Sequence, residues 1–265
     1  ISKQMKRFTL MKIRVNTALF TLLFAMILFQ SCSKYNIKDG TPLEKRMEIA
    51  MKMYENGDYF EAKTQFRIVT LSHSGNQNAD KAQFYLAECH YHMKEYILAA
   101  NEYERLTKVF PASDYVDDAK FKLGMSYYQL SPHYGLDQTY TEQAIEHFQE
   151  FLEDYHTSEL VEDVERNLLD ARSKLAHKVY SSGRIYRKMG RYRAANIYFN
   201  KVLEEYYDSK WAPRALYWIG ECNRRMDNKK QAIEAFAEFK QKYSHHEWIE
   251  RTNSALKELR RELEH

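Results

Sequence analysis

A repeat of 37 residues runs through most of this 265-residue chain and constrains its fold more than any other feature. The segment at 183–209 matches the one that begins at residue 220, with small and aromatic residues at equivalent positions in both. The same spacing separates Ala50, Ala87 and Gly124. An internal period of about 20 to 50 residues is typical of stacked supersecondary units, each of which buries its apolar face against its neighbours.

Each unit is predicted to contain two helices, A and B, that pack through one small residue on each and one aromatic residue on B. Spacings of three and four residues place such side chains on one face of a helix. The small residues let two backbones approach closely, and the ring fills the space beside them. The small residues of helix A are Ala50, Ala87, Gly124, Gly183 and Gly220; those of helix B are Ala62, Ala99, Ala144, Ala195 and Ala232; the rings are Phe66, Tyr103, Phe148, Phe199 and Phe236.

The junctions between units share a second pattern, in which a serine follows the aromatic residue that ends helix B. Ser113, Ser158 and Ser209 each stand three residues after such an aromatic residue. A serine hydroxyl can accept a hydrogen bond from a free N–H group in the first turn of a helix. We therefore predict that these serines cap the next helix A.

The order small, small, aromatic resembles the tetratricopeptide repeat, whose own period is about 34 residues. The resemblance implies an all-α solenoid of five helix-turn-helix repeats. Repeats one to three are predicted at 43–158 and repeats four and five at 159–246. Between Ala144 and Ala195 the chain has fourteen residues more than the period, which is almost four helical turns. We therefore predict one long helix from about residue 160 to 189. An amphipathic helix at 247–265 is predicted to cap the last repeat, as solenoids require.

Residues 1–31 are predicted to be a signal peptide rather than part of the fold. A basic segment precedes an apolar run at 18–29, whose 12 residues are too few to span a bilayer core of about 30 Å. A short transmembrane anchor is the alternative. Since the chain begins with Ile1, the true start is predicted at Met5 or Met11.

The segment that ends at Cys32 is similar to the bacterial lipobox, although Phe29 replaces the usual Leu and Gln30 replaces a small residue. The similarity implies that Cys32 carries a covalent lipid and that residues 32–42 form a tether. Ser33 follows the cysteine rather than Asp, which in the enterobacterial sorting rule implies the outer membrane. The alternative is that Cys32 is an ordinary free cysteine.

Composition and motifs exclude several functional classes. Without residues 1–31 the chain has 35 basic and 37 acidic residues, so it lacks the basic excess of a nucleic-acid-binding protein. The sequence has no Gly-rich phosphate loop and no Gly-x-Ser-x-Gly, His-Glu-x-x-His or Cys-x-x-Cys motif. We therefore predict no catalytic residue, no metal site and no cofactor besides the lipid. Cys89 and Cys222 are predicted to be separate buried core residues, because solenoid repeats contact only their neighbours.

The combination of these features resembles the BamD family, lipoproteins of the machine that assembles β-barrels in the bacterial outer membrane. The features are the signal, the lipobox, five repeats, the Asp137-Gln138-Thr139 loop before an Ala-Ile-x-x-Phe helix, and the long fourth A helix. The resemblance implies a periplasm-facing, non-catalytic scaffold that docks on the soluble POTRA domains of the BamA subunit. It also implies contact with other subunits and with unfolded outer-membrane proteins. The alternative is another periplasmic repeat lipoprotein, an adaptor of the Tol type or of polysaccharide or secretion machinery.

In tetratricopeptide folds the A helices line a groove, at positions three before, one after and four after the small residue. In repeats one to three, eight of these nine positions are aromatic or Met, a composition that marks binding surfaces. We predict that they hold an extended, aromatic-bearing client segment; the alternative is that they only pack the superhelix. The residues are Met47, Met51, Tyr54, Phe84, Tyr91, Phe121, Met125 and Tyr128.

The corresponding positions of repeats four and five are polar and basic. This part of the groove is predicted to face a partner subunit, with arginine side chains pairing with its carboxylates. The residues are Tyr180, Arg184, Arg187, Tyr217, Arg224 and the adjacent Arg225.

Overall fold

The computed structural model describes residues 35, 37–38, 40–72 and 78–264. The predicted signal peptide and Cys32, the predicted lipidation site, lie outside the described residues. Within them, the chain forms eleven α-helices and no strand. The helices are α1 (Leu43–Glu55), α2 (Tyr59–Leu71), α3 (Ala79–His92), α4 (Tyr96–Val109), α5 (Val116–Leu130), α6 (Thr139–Asp154), α7 (Val161–Lys188), α8 (Tyr192–Glu205), α9 (Ala212–Arg225), α10 (Lys229–Lys242) and α11 (Ile249–Glu264).

Each helix packs mainly on the helices that precede and follow it in the chain. The odd-numbered helices α1 to α9 are the A helices and the even-numbered ones are the B helices of five repeats. This nearest-neighbour packing is the defining property of a solenoid. The predicted all-α repeat fold is therefore confirmed.

The A and B helices of a repeat meet where a small residue faces an aromatic ring. A Cβ atom added at Gly124, Gly183 or Gly220 would lie 2.7, 2.6 or 2.6 Å from the nearest ring atom of the paired phenylalanine. Real Cβ atoms essentially never approach a neighbour within 3.0 Å. The paired rings are Phe148, Phe199 and Phe236, all 0% exposed. Glycine is thus required here by close approach, not by backbone conformation.

The turn between A and B helices repeats with the same period. Gly57, Lys94, Gly190 and Asp227 all have positive φ, at 81°, 61°, 72° and 60°. In the first turn, the N–H of Gly57 donates to the carbonyl of residue 54 at 2.9 Å, and the next N–H donates to the carbonyl of residue 53 at 2.9 Å. These two bonds form the Schellman motif, which satisfies the last carbonyl groups of helix A.

Repeat three replaces this turn with a longer loop at 131–138. Its Gln138 side chain donates to the carbonyl groups of His133 at 3.1 Å and Leu136 at 3.2 Å. Two lysines of α7 hold it from the next repeat: Lys174 Nζ donates to Ser131 Oγ at 2.7 Å, and Lys178 Nζ donates to the Leu136 carbonyl at 3.0 Å. The loop is therefore fixed against α7.

The predicted capping by serines is wrong. The residue before α5 is Tyr115, and no side chain caps this helix. Ser113 stands two residues earlier, where its Oγ accepts the Tyr115 N–H at 3.3 Å and donates to Asp80 Oδ2 at 2.6 Å. Ser158 bonds Asp117 in the same way at 2.8 Å. A short turn separates each serine from the helix, so the hydroxyl joins the junction to the preceding A helix instead.

The insertion before repeat four lengthens an A helix, since α7 has 28 residues. Near its start, Val164 packs with Phe148 and Phe151 of repeat three. Near its end, Tyr180 belongs to the core cluster of repeats four and five. This helix therefore belongs to the cores of both halves of the chain.

The last helix, α11, covers the apolar end of repeat five with Ala255, Leu256 and Leu259. Cys89 and Cys222 are both free and 0% exposed, and they belong to different core clusters. Burial raises the pKa of these thiols, to about 12 for Cys89 and about 11 for Cys222. Both side chains are therefore packing residues.

We expect Gly220→Ala to lower the free energy of unfolding by about 1–2 kcal/mol. Overpacking costs about 1–3 kcal/mol, and the better helix propensity of Ala offsets at most about 1 kcal/mol of it. The measurement is denaturant unfolding of both proteins. A Phe236→Leu background is the control, because it removes the ring that the new methyl group would meet. An equal cost of Gly220→Ala in both backgrounds would contradict the steric explanation.

Candidate functional site

The structure divides the predicted groove residues of repeats one to three into two groups. Met47 and Phe84 are only 6% and 8% exposed and belong to the core. Met47 packs with Leu86 of α3, and the Phe84 ring stacks on Tyr115 at 5.0 Å between centroids. Both residues lie at the interface with the next repeat and therefore offer little surface to a ligand. The other six residues remain half-buried, and we call them the aromatic surface: Met51, Tyr54, Tyr91, Phe121, Met125 and Tyr128.

One tyrosine of the aromatic surface, Tyr54, is held by the buried carboxylate of Glu88, the one groove position of repeats one to three that is neither aromatic nor Met. Glu88 is 6% exposed. It accepts the hydroxyl groups of Tyr54, at 3.1 Å, and Tyr103, and it pairs with Lys122 Nζ at 3.1 Å. Burial and this carboxylate raise the pKa of the Tyr54 hydroxyl, so it stays protonated as a donor. Glu88 thus ties α1, α3, α4 and α5 together beneath the surface.

Lysine side chains lie over two of the tyrosine rings, one repeat further along. Lys122 Nζ lies 5.0 Å from the centroid of Tyr91, and Lys174 Nζ lies 5.1 Å from that of Tyr128. The Tyr128 hydroxyl donates to Asp170 of α7. Cation–π contacts and hydrogen bonds of this kind orient rings that remain partly accessible. The surface therefore presents pre-positioned ring faces rather than loose side chains.

Phe121 and Met125 complete the aromatic surface in repeat three. Both pack against the core cluster that contains Phe148 and Phe151, and the Phe121 ring lies 6.2 Å and 6.5 Å from those two rings. Their burial is partial, so these side chains serve both the core and the surface. The prediction that this surface binds a client segment stays a prediction.

In repeats four and five the predicted tyrosines are core residues. Tyr180 and Tyr217 are 3% and 4% exposed. The Tyr180 hydroxyl accepts the N–H of Trp218 at 2.9 Å. These two tyrosines are therefore not available for the predicted direct contact with a partner, and they act by positioning their neighbours.

The predicted arginines differ in what they already bind. Arg224 pairs with Glu221 at 3.0 Å, and the Arg187 guanidinium lies 3.8 Å from the ring centroid of Trp218. The buried Nε of Arg187 has no hydrogen-bond partner. Arg184 and Arg225 are exposed, and neither forms an ion pair within the described part of the chain.

Arg251, on the capping helix α11, joins Arg187 and Arg225 at a cavity of about 330 Å³. The cavity is lined by Arg187, Tyr192, Trp218, Glu221, Cys222, Arg225 and Arg251. We call Arg184, Arg187, Arg224, Arg225 and Arg251 the basic surface. Trp218 and Arg251 were not predicted from the sequence, because they fall outside the groove positions of a repeat. The repeat period does indicate Arg251, which stands 37 residues after Arg214 and so occupies the equivalent position.

Neither surface has the components of a metal site. Among the residues that the structure describes, no group of three or more His, Cys, Asp or Glu side chains could hold a metal ion. Over the same residues, no helix combines the length and the apolarity needed to cross a bilayer. What the two surfaces offer is contact area, hydrogen-bond donors and positive charge.

Comparison with known proteins identifies the relatives of this chain. The sequence model of the family YfiO, described as outer membrane lipoprotein, matches residues 42–239. The chain belongs to this family. The predicted resemblance to BamD-type proteins is thereby confirmed, and so is association with the outer membrane.

Two curated relatives carry the name of an assembly factor. The outer membrane protein assembly factor BamD of Caulobacter vibrioides is 24% identical over 186 residues, which are 70% of this chain and 61% of that protein. The putative outer membrane protein assembly factor BamD of Aquifex aeolicus is 26% identical over 188 residues, with the same two coverages. The chain thus spans less than two thirds of the length of either relative.

A solved structure supports the fold. The TPR repeats protein of Bacteroides fragilis has a TM-score of 0.51 to this chain, with 13% sequence identity, over 83% of this chain and 99% of that one. At this identity the likeness concerns the fold alone.

We expect Glu88→Gln to lower the free energy of unfolding by about 1–3 kcal/mol, the usual cost of disrupting buried hydrogen bonds to a charged group. Lys122 would lose its ion pair and two tyrosine hydroxyls would lose a charged acceptor. Thermal or denaturant unfolding measures the effect. The matched control is Glu104→Gln, which removes a largely exposed pair with Lys108 and is expected to change little. Equal stability of the two variants would show that Glu88 does not tie the helices together.

Proposed function

We propose that this chain is an outer-membrane protein assembly factor that acts as a non-catalytic scaffold. The observation that carries the proposal is membership of the outer membrane lipoprotein family over residues 42–239, together with relatives that are named as BamD assembly factors. A lipid on Cys32 would hold the solenoid on the periplasmic side of the membrane. This anchor agrees with the lipoprotein family and with the sequence around the cysteine.

The aromatic surface is the proposed site for unfolded outer-membrane proteins. Three of its tyrosines, Tyr54, Tyr91 and Tyr128, stand one period apart and so recur on successive A helices. Lys122 and Lys174 orient two of these rings before any ligand arrives. A row of ring faces at regular intervals suits an extended segment with aromatic side chains, and pre-positioned rings lower the entropic cost of binding.

The basic surface is the proposed site for the soluble POTRA domains of BamA or another subunit of the complex. Arg184 and Arg225 have no carboxylate partner in the described chain, and Arg225 lines a cavity together with Arg187 and Arg251. Unpaired arginines can form bidentate hydrogen bonds with carboxylates of a partner. Complementary charge of this kind also steers the two proteins toward each other.

We expect Tyr91→Ala combined with Tyr128→Ala to weaken binding of a client peptide about tenfold or more, since buried tyrosines at interfaces commonly contribute 1–2 kcal/mol each. The peptide is the last β-strand of an outer-membrane β-barrel protein from the same organism, and fluorescence anisotropy measures its affinity. Tyr207→Ala is the control, because Tyr207 is 71% exposed and lies at a repeat junction outside the surface. Circular dichroism checks that each variant is folded. Unchanged affinity in a folded double variant would exclude this surface as the client site.

We expect Arg184→Glu combined with Arg225→Glu to abolish co-purification of the partner subunit from detergent-solubilised membranes. Reversal of two unpaired charges replaces attraction to carboxylates with repulsion. Lys230→Glu is the matched control, since Lys230 is also exposed but lies on α10, outside the basic surface. The proteins that co-purify are identified by mass spectrometry. Recovery of polysaccharide-synthesis or cell-division proteins in place of a β-barrel subunit with soluble repeat domains would assign the chain to a different adaptor role.

A further inference from the structure

A cavity of about 340 Å³ lies where repeats three and four meet, beyond the end of the aromatic surface. Residues of the loop at 131–138 form one side, and residues of α7 form another. The third side is the junction before α9, with Lys210 and Trp211. We call this space the repeat-three cavity. Neither the family resemblance nor the two proposed surfaces account for it.

Three stacked rings form part of its wall. The imidazole of His177 lies between Tyr134 and Trp211, with centroid distances of 3.5 Å and 3.9 Å. The planes of His177 and Trp211 differ by only 12°. Because the loop that carries Tyr134 is fastened to α7 by Lys174 and Lys178, the wall is held in place without a ligand.

The charged groups that line the cavity are mainly cationic. Lys174 and Lys210 face one carboxylate, that of Asp170, which already accepts the Tyr128 hydroxyl. Burial lowers the pKa of Lys174, and a buried ammonium group gains from any nearby anion. The cavity therefore has positive charge that the carboxylate of Asp170 does not fully balance.

The pKa of His177 reflects the same excess of positive charge. Its pKa is lowered to about 4, first by burial and then by the positive charges of Arg184, His133, Lys210 and Arg214. These groups come from its own helix, from the loop at 131–138 and from the junction and first turn of α9. The imidazole is consequently neutral at pH 7. An anion placed in the cavity would offset the positive charges of Arg184, Lys210 and Arg214.

Two polar side-chain atoms of residues that line the cavity have no hydrogen-bond partner in the described part of the chain: the hydroxyl oxygen of Ser173 and the indole nitrogen Nε1 of Trp211. Both atoms are themselves fully buried. A ligand in the cavity would therefore bond the lysine and histidine side chains of the lining rather than these two atoms.

We propose that the repeat-three cavity binds a small oxyanion, a phosphate or a carboxylate group. The lining has no guanidinium group, and its donors are ammonium groups, imidazole N–H groups and hydroxyls that approach from several sides. Point donors of this kind fit a compact oxyanion better than an extended planar ligand. The ring stack of His177 closes one side and excludes water there.

The test uses the proton on His177 as the probe. NMR follows the His177 imidazole during pH titration, with His177→Gln to assign its resonance. Inorganic phosphate is expected to raise the pKa of His177 above the value in sodium chloride of the same ionic strength, because the bound anion stabilises the imidazolium. By linkage, phosphate then binds more tightly as the pH falls. Acetate and phosphate, each added separately at pH 7 where both are anions, distinguish a carboxylate site from a phosphate site by which of them gives a saturable change in the His177 resonances.

Two lysine variants distinguish a specific anion site from general ionic screening. Lys210→Ala is expected to weaken anion binding about two- to fivefold, the usual effect of one exposed charge. Lys230→Ala, which removes an equally exposed charge from α10, leaves binding unchanged. Neither variant alters the core. The proposal is overturned if phosphate and acetate change His177 no more than chloride does, or if both lysine variants have the same effect.

Discussion

The contact between a small residue on helix A and an aromatic ring on helix B is the constraint on which the whole solenoid depends. It sets the distance between the two helices of a repeat, and every later repeat inherits the resulting geometry. In repeats one and two, Ala50 and Ala87 occupy the small position, whereas the last three repeats have glycine there. In the glycine repeats the ring of the paired phenylalanine occupies the volume that a methyl group would need. Variation at these few positions is thus a way to change helix spacing without changing the fold.

Much of this architecture can be derived from the sequence because it is periodic. A 37-residue lattice assigns the helix pairs and their buried positions, and it aligns the four turn residues that the structure shows to have positive φ: Gly57, Lys94, Gly190 and Asp227. The lengthened α7 follows from the same count, since 14 extra residues are almost four turns. These features depend on spacing along one chain segment, which a sequence displays directly.

The features that the sequence did not predict are contacts between repeats. Glu88 looked like the single exception in an apolar pattern, yet it is the acceptor that joins four helices. Ser113 has the residue type of a helix cap, but its hydroxyl bonds Asp80 of the preceding repeat. Counting along the repeat places Met47 in the groove, whereas in the structure its side chain is buried in the core. Such partners depend on how far each repeat is rotated relative to the next, and a period does not specify that rotation.

The two halves share one helical repeat but present different side chains, mainly aromatic in the first half and basic in the second. Helix α7 joins the halves and determines their relative position. In the first half, two tyrosine hydroxyls donate to the buried carboxylate of Glu88; in the second, arginines lie over indole rings, as Arg187 does over Trp218. A helix of 28 residues is about 42 Å long and has no turn at which the halves could rotate freely. A ligand on the aromatic surface and a partner on the basic surface would therefore be held at a fixed distance and orientation. For the proposed scaffold, that rigidity would bring one protein to another in a defined geometry without any chemical step.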